Sequence, residues 1–248
     1  MIGKKKFEEI LSYILSKSKA DETQVSLHTE HSYLTRFANS IVHQNVMEKN
    51  AILSIKTAVG KKIGEVETNN FSKSNILNIL NRSIEIARHS AELPDFFGFP
   101  SPQKYKTINT YFENTLRFSQ KEKISILKDI FDSSRPFSCY GAISTGAAEI
   151  AIGNSNGLSA YSYGTDAEVR LTIKGKSGAA FGQSANRDIR KINFSQLRDE
   201  VLAKAKFSQS PKNIKPGKYT VFLTPEAFSE MLNFLAFLGF NSLLYQEG

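Results

Sequence analysis

The sequence of 248 residues contains one cysteine, Cys139, and can therefore form no internal disulfide. A disulfide-stapled fold is excluded, and the cytoplasm, a reducing compartment, is the expected location. Tryptophan is absent, and histidine occurs only at His28, His31, His43 and His89. A zinc centre needs about three protein ligands around an open position. His28 and His31 stand three apart in an alternating segment and so point to opposite faces, while the other two are isolated in sequence. Cys139 has no histidine beside it and reads as a buried, inert thiol. No apolar run is long enough to cross a membrane, and residues 1–18 interleave charge with their apolar positions as no signal peptide does. The glycine-rich stretches 141–153 and 175–182 match neither the dinucleotide fingerprint nor the phosphate-binding loop.

With 40% hydrophobic and 23% charged residues, the chain can bury the core of one large or two ordinary domains. A formal net charge of +8 raises the question of nucleic acid. Its lysines and arginines are scattered, however, with Lys4-Lys5-Lys6 the single run and no nucleic-acid-binding motif in view. A solvated basic surface is expected, without a nucleic-acid or membrane partner.

Phe7, Ile10, Leu11, Ile14 and Leu15 recur at three- and four-residue spacing and predict an amphipathic helix. Alternation then predicts short strands over 24–30, 33–38, 41–47, 51–59 and 63–68, arranged as an antiparallel meander with a turn at Gly60-Lys61-Lys62. Ser72 starts a helix that buries Ile76, Leu77, Leu80, Ile84 and Ala87. Leu93–Pro102, with its prolines and Phe96, Phe97 and Phe99, can enter neither helix nor central strand and is expected to cross the protein surface. Ser119-Gln120-Lys121-Glu122 is a capping box, followed by an apolar stripe of Ile124, Leu127, Ile130 and Phe131. Beyond Pro136, strands are expected at 148–152, 158–163, 168–174 and 179–185, with a hairpin at Asn156-Gly157. Asn193 caps a helix over 194–207 that turns Leu197, Val201, Leu202 and Ala205 inward, and 208–216 is the expected hinge.

The stretch Pro216–Gly239 changes period. Tyr219, Val221 and Leu223 alternate with Thr220, Phe222 and Thr224, which predicts a strand. Thr224 as cap, Pro225 in the first turn and Glu226 against the dipole then open a helix. Phe228, Met231, Leu232, Phe234, Leu235, Phe237 and Leu238 make that helix apolar nearly all round, so it needs cover on most sides.

Pro216-Gly217-Lys218-Tyr219, the β run ending in Leu223 and the Pro225-Glu226-Ala227 helix start together resemble the opening of the C-terminal domain in the TldD/PmbA family, known as modulators of DNA gyrase and as metallopeptidases. Arg36-Phe37-Ala38-Asn39-Ser40 is similar to the family's Arg-x-Ala-Asn-Ser segment, and Gly60–Gly64 to its Gly-x-x-x-Gly hairpin. Asn154–Gly157 and Gly175–Gly178 resemble turns of its middle segment. The resemblance implies an α+β fold. A body of helices packed on antiparallel strands, in units 1–96 and 104–208, is followed by 216–248 as the start of an incomplete, mainly β C-terminal domain, so the chain is expected to be truncated relative to the family.

Metallopeptidases of the family carry His-Glu-x-x-x-His on the helix that follows this strand. Here the motif would fall over Asn233–Leu238, which holds no histidine. Glu226 and Glu230 are one turn apart, but carboxylates alone make a poor zinc site, and they read as a helix start and a solvated or interface position. The resemblance therefore implies no catalytic, metal or cofactor residue in this chain and leaves its substrate-binding residues open. It points to the non-zinc PmbA/TldE branch. The expected role is a non-catalytic subunit in a hetero-oligomer with a TldD-like zinc-bearing paralogue, acting in proteolysis on peptides or unfolded protein, with peptide contact available from the strand Tyr219–Leu223. The alternative is a metallopeptidase whose catalytic residues lie outside this sequence; a DNA-binding modulator is the weaker reading.

Overall fold

The computed structural model describes residues 1–106 and 108–247. In chain order the elements are α1 (Lys4–Lys17), β1 (Glu22–Ala38), β2 (Ile41–Val59), β3 (Lys62–Thr68), α2 (Lys73–His89), the single turn α3 (Glu113–Leu116), α4 (Gln120–Ser133), β4 (Ser138–Asn154), β5 (Ser159–Lys174) and β6 (Ala179–Asn186). A 3-10 turn (Ile189–Lys191), α5 (Phe194–Phe207), α6 (Pro225–Gly239) and α7 (Ser242–Glu247) follow. The strands form one antiparallel sheet in the order β3-β2-β1-β4-β5-β6. The α+β architecture expected from the pattern is the one found.

The strands are longer than their alternation. Segments 24–30 and 33–38 are one strand, as are 41–47 with 51–59, and 158–163 with 168–174. Residues 31–34 are all half-buried, and 41–52 contain no buried residue, so periodicity lapses there while the β1–β2 ladder runs on unbroken from Glu22 opposite Ala58 to Thr35 opposite Asn45. Backbone pairing does not require a buried face. At the far end of this ribbon Asn39 and Ser40 have φ of 50° and 57°, the left-handed pair that a two-residue hairpin demands.

Directly opposed residues share a face of a sheet. Leu27 lies opposite both Leu53 and Ala151, and Cys139 and Ile143 lie opposite Ile173 and Val169. All of these are buried on the same face, which carries the helices. Phe7, Ile10 and Ile14 of α1 and Ile76, Leu80 and Ile84 of α2 cover the β1–β2 half. Leu127 and Ile130 of α4 and Leu197, Val201 and Ala205 of α5 cover the β4–β5 half. Contact is close: a Cβ at Gly64 would strike the backbone of Ser83 in α2, and one at Gly182 would stand 2.5 Å from Val201 Cγ2 in α5. None of these four helices lies on the opposite face.

Several inward positions differ from the expected stripes. In α4 Lys123, 1% exposed, takes the place expected for Ile124, which is 49% exposed. In α2 Ile79 is buried and Leu77 is not, so the inward stripe runs Ile76, Ile79, Leu80, Ser83, Ile84 and Ala87. Of the three phenylalanines in the 93–102 crossing, Phe99 is buried, Phe96 packs on its ring at 5.4 Å, and Phe97 stands in solvent. Glu22 fastens the crossing by accepting from Phe99 N at 2.7 Å.

Residues 218–224 form no strand. Their alternation meets the side-chain requirement of a strand, but strand hydrogen bonds are made only with a neighbour, and none lies beside them among the described residues. Tyr219 instead donates to Lys215 O at 2.6 Å, and Phe222 is fully exposed. Helix α6 begins as expected, with Thr224 accepting from Ala227 N, and buries none of its residues.

Candidate functional site

Between the two apolar clusters the helix-covered face becomes polar. Glu149 sits inward on β4 directly opposite Thr29 and is fully buried. Its carboxylate accepts from Ile2 N (2.8 Å), Gly3 N (2.6 Å), Thr29 Oγ1 (2.9 Å) and Tyr161 Oη (2.6 Å). Burial alone would raise its pKa, but these four donors outweigh it and hold the group below the usual carboxylate range. Tyr161 is correspondingly pushed well above an ordinary tyrosine by burial and by that carboxylate. Lys123 Nζ donates to Tyr33 O at 2.9 Å, and burial lowers its pKa to about 8. Each residue is explained by the packing of the N-terminus or of α4 onto the sheet.

The residues weighed for catalysis stay apart. His28 lies on the uncovered face between Ile52 and Ile150. His31 faces the other way, 3.1 Å from the Met1 amine, and burial together with that amine lowers its pKa. His43 and His89 are exposed on β2 and at the end of α2. Among the described residues no three histidine, cysteine, aspartate or glutamate side chains converge as metal ligands. Cys139 is buried beneath α4 and α5, and burial raises its thiol pKa, which disfavours the nucleophilic thiolate. Asn233–Leu238 lies on α6 and brings no imidazole near any of these groups.

A cleft of about 630 Å³ lies where sheet and α6 face each other. Ala180, Phe181 and Gln183 of β6 line one side and Thr224, Glu226, Ala227 and Glu230 the other, with Arg170 of β5 and Lys204 of α5 completing it. Its charges are paired by sign, two carboxylates against two cations. The backbone at the start of α6, the Thr224 hydroxyl and Lys204 hold Glu226 below the usual carboxylate range. Arg170 binds Glu168 through Nε at 2.8 Å and remains largely exposed. Glu226 and Glu230 were legible as a one-turn pair; Arg170 and Lys204 were not, since nothing in sequence joins them to that helix. This arrangement has the chemistry of a binding surface.

The architecture itself is shared with known structures. TldE from Thermococcus kodakarensis superimposes with a TM-score of 0.73 at 15% identity, over 81% of this chain and 47% of its own. The fold is the TldE fold. A candidate modulator of DNA gyrase from Bacteroides thetaiotaomicron matches with a TM-score of 0.80 at 15% identity, over 94% of this chain and 56% of its own. One from Thermotoga maritima gives 0.72 at 18%, over 85% and 50%. The chain thus spans about half the length of the TldE-fold structures it resembles. No family model and no curated protein matches its sequence.

Proposed function

We propose that the chain serves as a non-catalytic scaffold subunit beside a TldD-like, zinc-bearing paralogue in a cytoplasmic peptide-processing assembly, where it helps to enclose a peptide or an unfolded segment. The reading is supported by the TldE fold together with the residues that resemble the TldD/PmbA family. The observation that carries it is helix α6: the helix on which the family's peptidases hold zinc contains no histidine from Pro225 to Gly239. Hydrolysis by zinc requires about three ligands and an open coordination position for water, and the four histidines of this chain lie on β1, β2 and α2, with the two on β1 facing opposite sides of the sheet.

The test is metal analysis after dialysis, followed by a peptidase assay of the chain with and without a His-Glu-x-x-x-His paralogue from the same genome. Metal well below one equivalent, with cleavage only in the presence of the paralogue, is expected. One tightly held zinc per chain, or chelator-sensitive cleavage by the chain alone, overturns the reading in favour of an enzyme.

A further inference from the structure

We propose that a second cleft, beside the outer edge of β5, binds a nucleoside monophosphate, with its base against tyrosine rings and its phosphate against Lys4 and Lys106. Such binding goes beyond the scaffold reading above and does not depend on it. β6 pairs with β5 only over 167–174, so over 159–166 the outer side of β5 is left to the crossing from 105 to 112. There Tyr105 Oη donates to Ser159 O at 3.1 Å, Thr110 Oγ1 to Tyr163 O at 2.7 Å, and Thr165 N to Thr110 O at 2.9 Å. A cleft of about 450 Å³ remains between this crossing, the first residue of α1 and β5. That volume lies within the range of small-ligand pockets, about 300–1,000 Å³.

Its walls offer two kinds of group. Tyr105, Tyr161 and Tyr163 supply rings. The hydroxyl of Tyr105 is engaged by Ser159 and that of Tyr161 by Glu149, so what these two side chains have left to offer is ring surface. Tyr163 has Tyr111 and Tyr161 beside it, with ring centroids 5.1 and 6.0 Å away, and is still 46% exposed. Rings held in place lose little freedom when a flat ligand stacks on them, and every nucleobase has such a face. Lys4 and Lys106 supply charge, and among the described residues no acidic side chain lines the cleft. Lys4 belongs to the one basic run of the sequence, and its partner Glu8 is exposed and 3.8 Å away. The charge of Glu149 is already met by its four donors. A phosphate monoester carries nearly two negative charges at neutral pH, which two ammonium groups match and a carboxylate ligand does not. In the cleft at α6, Glu226 and Glu230 would repel it. The site suits one nucleotide and not a strand, because a strand needs a groove that stays cationic, and the adjoining hollow that shares Lys106 and Ile108 brings in Asp166.

The experiment is calorimetric titration of the full chain at low salt with AMP, adenosine and inorganic phosphate. AMP should bind with a Kd below about 1 mM, and adenosine and phosphate should each bind at least about five-fold more weakly. Lys4→Gln/Lys106→Gln should weaken AMP about five-fold and leave adenosine unchanged. Tyr163→Leu should weaken AMP and adenosine alike by about five-fold or more and leave phosphate unchanged, and Tyr105→Leu should behave in the same way. All four side chains are exposed, and melting temperatures equal to that of the wild type check that the body is intact. Lys212→Gln/Lys215→Gln removes the same charge outside the cleft and should bind AMP as the wild type does. No binding of AMP at about 10 mM, adenosine or phosphate binding as tightly as AMP, or equal losses in the two double-lysine variants overturns the proposal. O-phosphotyrosine binding as tightly as AMP would assign the cleft to a phosphorylated side chain, and a single-stranded oligothymidylate binding far more tightly than AMP through the same residues would assign it to nucleic acid. Either result overturns it too.

Discussion

Glu149 and Lys123 are the two charged side chains most completely removed from water, and their environments pull stability in opposite directions. Glu149 has four donors, so Glu149→Gln should cost about 2 kcal/mol, in the range for hydrogen bonds to a charged group. Its folded pKa is depressed below the ordinary 4.5, so its contribution is complete above that value and is lost as pH falls through the folded pKa. Urea denaturation at pH 7 and in acid should therefore show the difference between wild type and Glu149→Gln shrinking below pH 4.5. Among the described residues Lys123 has one acceptor and no counter-charge. Its pKa falls from 10.5 to about 8, so the unfolded chain binds more protons between those values and stability rises with pH across them. Lys123→Met should stabilise the protein at pH 7 by about 2 kcal/mol, the linkage gain less one hydrogen bond, and the advantage should vanish near pH 10. Both residues are anomalies of phase that the sequence reading passed over. Glu149 interrupts the inward series Ala147 and Ala151, and Lys123 precedes Leu127 and Ile130 by helical spacing. Which donors would meet them was not legible, because Ile2 and Thr29 lie more than a hundred residues from Glu149.

At the scale of elements, helices were read closely and strands poorly. The capping box at Ser119 and Glu122 and the side-chain caps at Ser72 and Asn193 form as their sequences imply, since a helix end is fixed by residues three positions away. Strands depend on neighbours. The alternation over 219–223 was as good as that of 168–174, and only the second found a ladder. Helix α6 then stands with Phe234 and Phe237 60% and 72% exposed. Ending the chain at Ser210 should leave the body folded, because Gln209 Nε2 still reaches Gly178 O at 3.0 Å and Ser210 N still reaches Ser177 Oγ at 3.0 Å. Sedimentation of the two chains at equal concentration checks the consequence: the shorter should remain monomeric where the longer self-associates through its apolar helix. Equal behaviour would mean that α6 is not the cause.

At the scale of the molecule, the α+β class and the antiparallel meander were legible, whereas the placement of α1, α2, α4 and α5 on one face of one sheet was not. That placement arises from the β1–β4 pairing, which joins residues 24–37 to 141–154 and has no local signature. The cleft escaped sequence reading for the same reason, being made where β6 and α6 meet through the sheet edge.

The grip of Glu149 on the first residues also bears on the order in which the protein is made. α1 can form as soon as it leaves the ribosome, but Ile2 N and Gly3 N find their carboxylate only after 147 further residues have been added. At about 5–20 residues per second, this interval lasts several seconds or longer. Until then, the inner edge of β1 lacks its β4 partner, and the β1–β2 hairpin waits as an open template. Nascent chains are therefore most exposed to mispairing and to chaperone capture before Asn154 emerges, and a pause in translation ahead of β4 would lengthen that window.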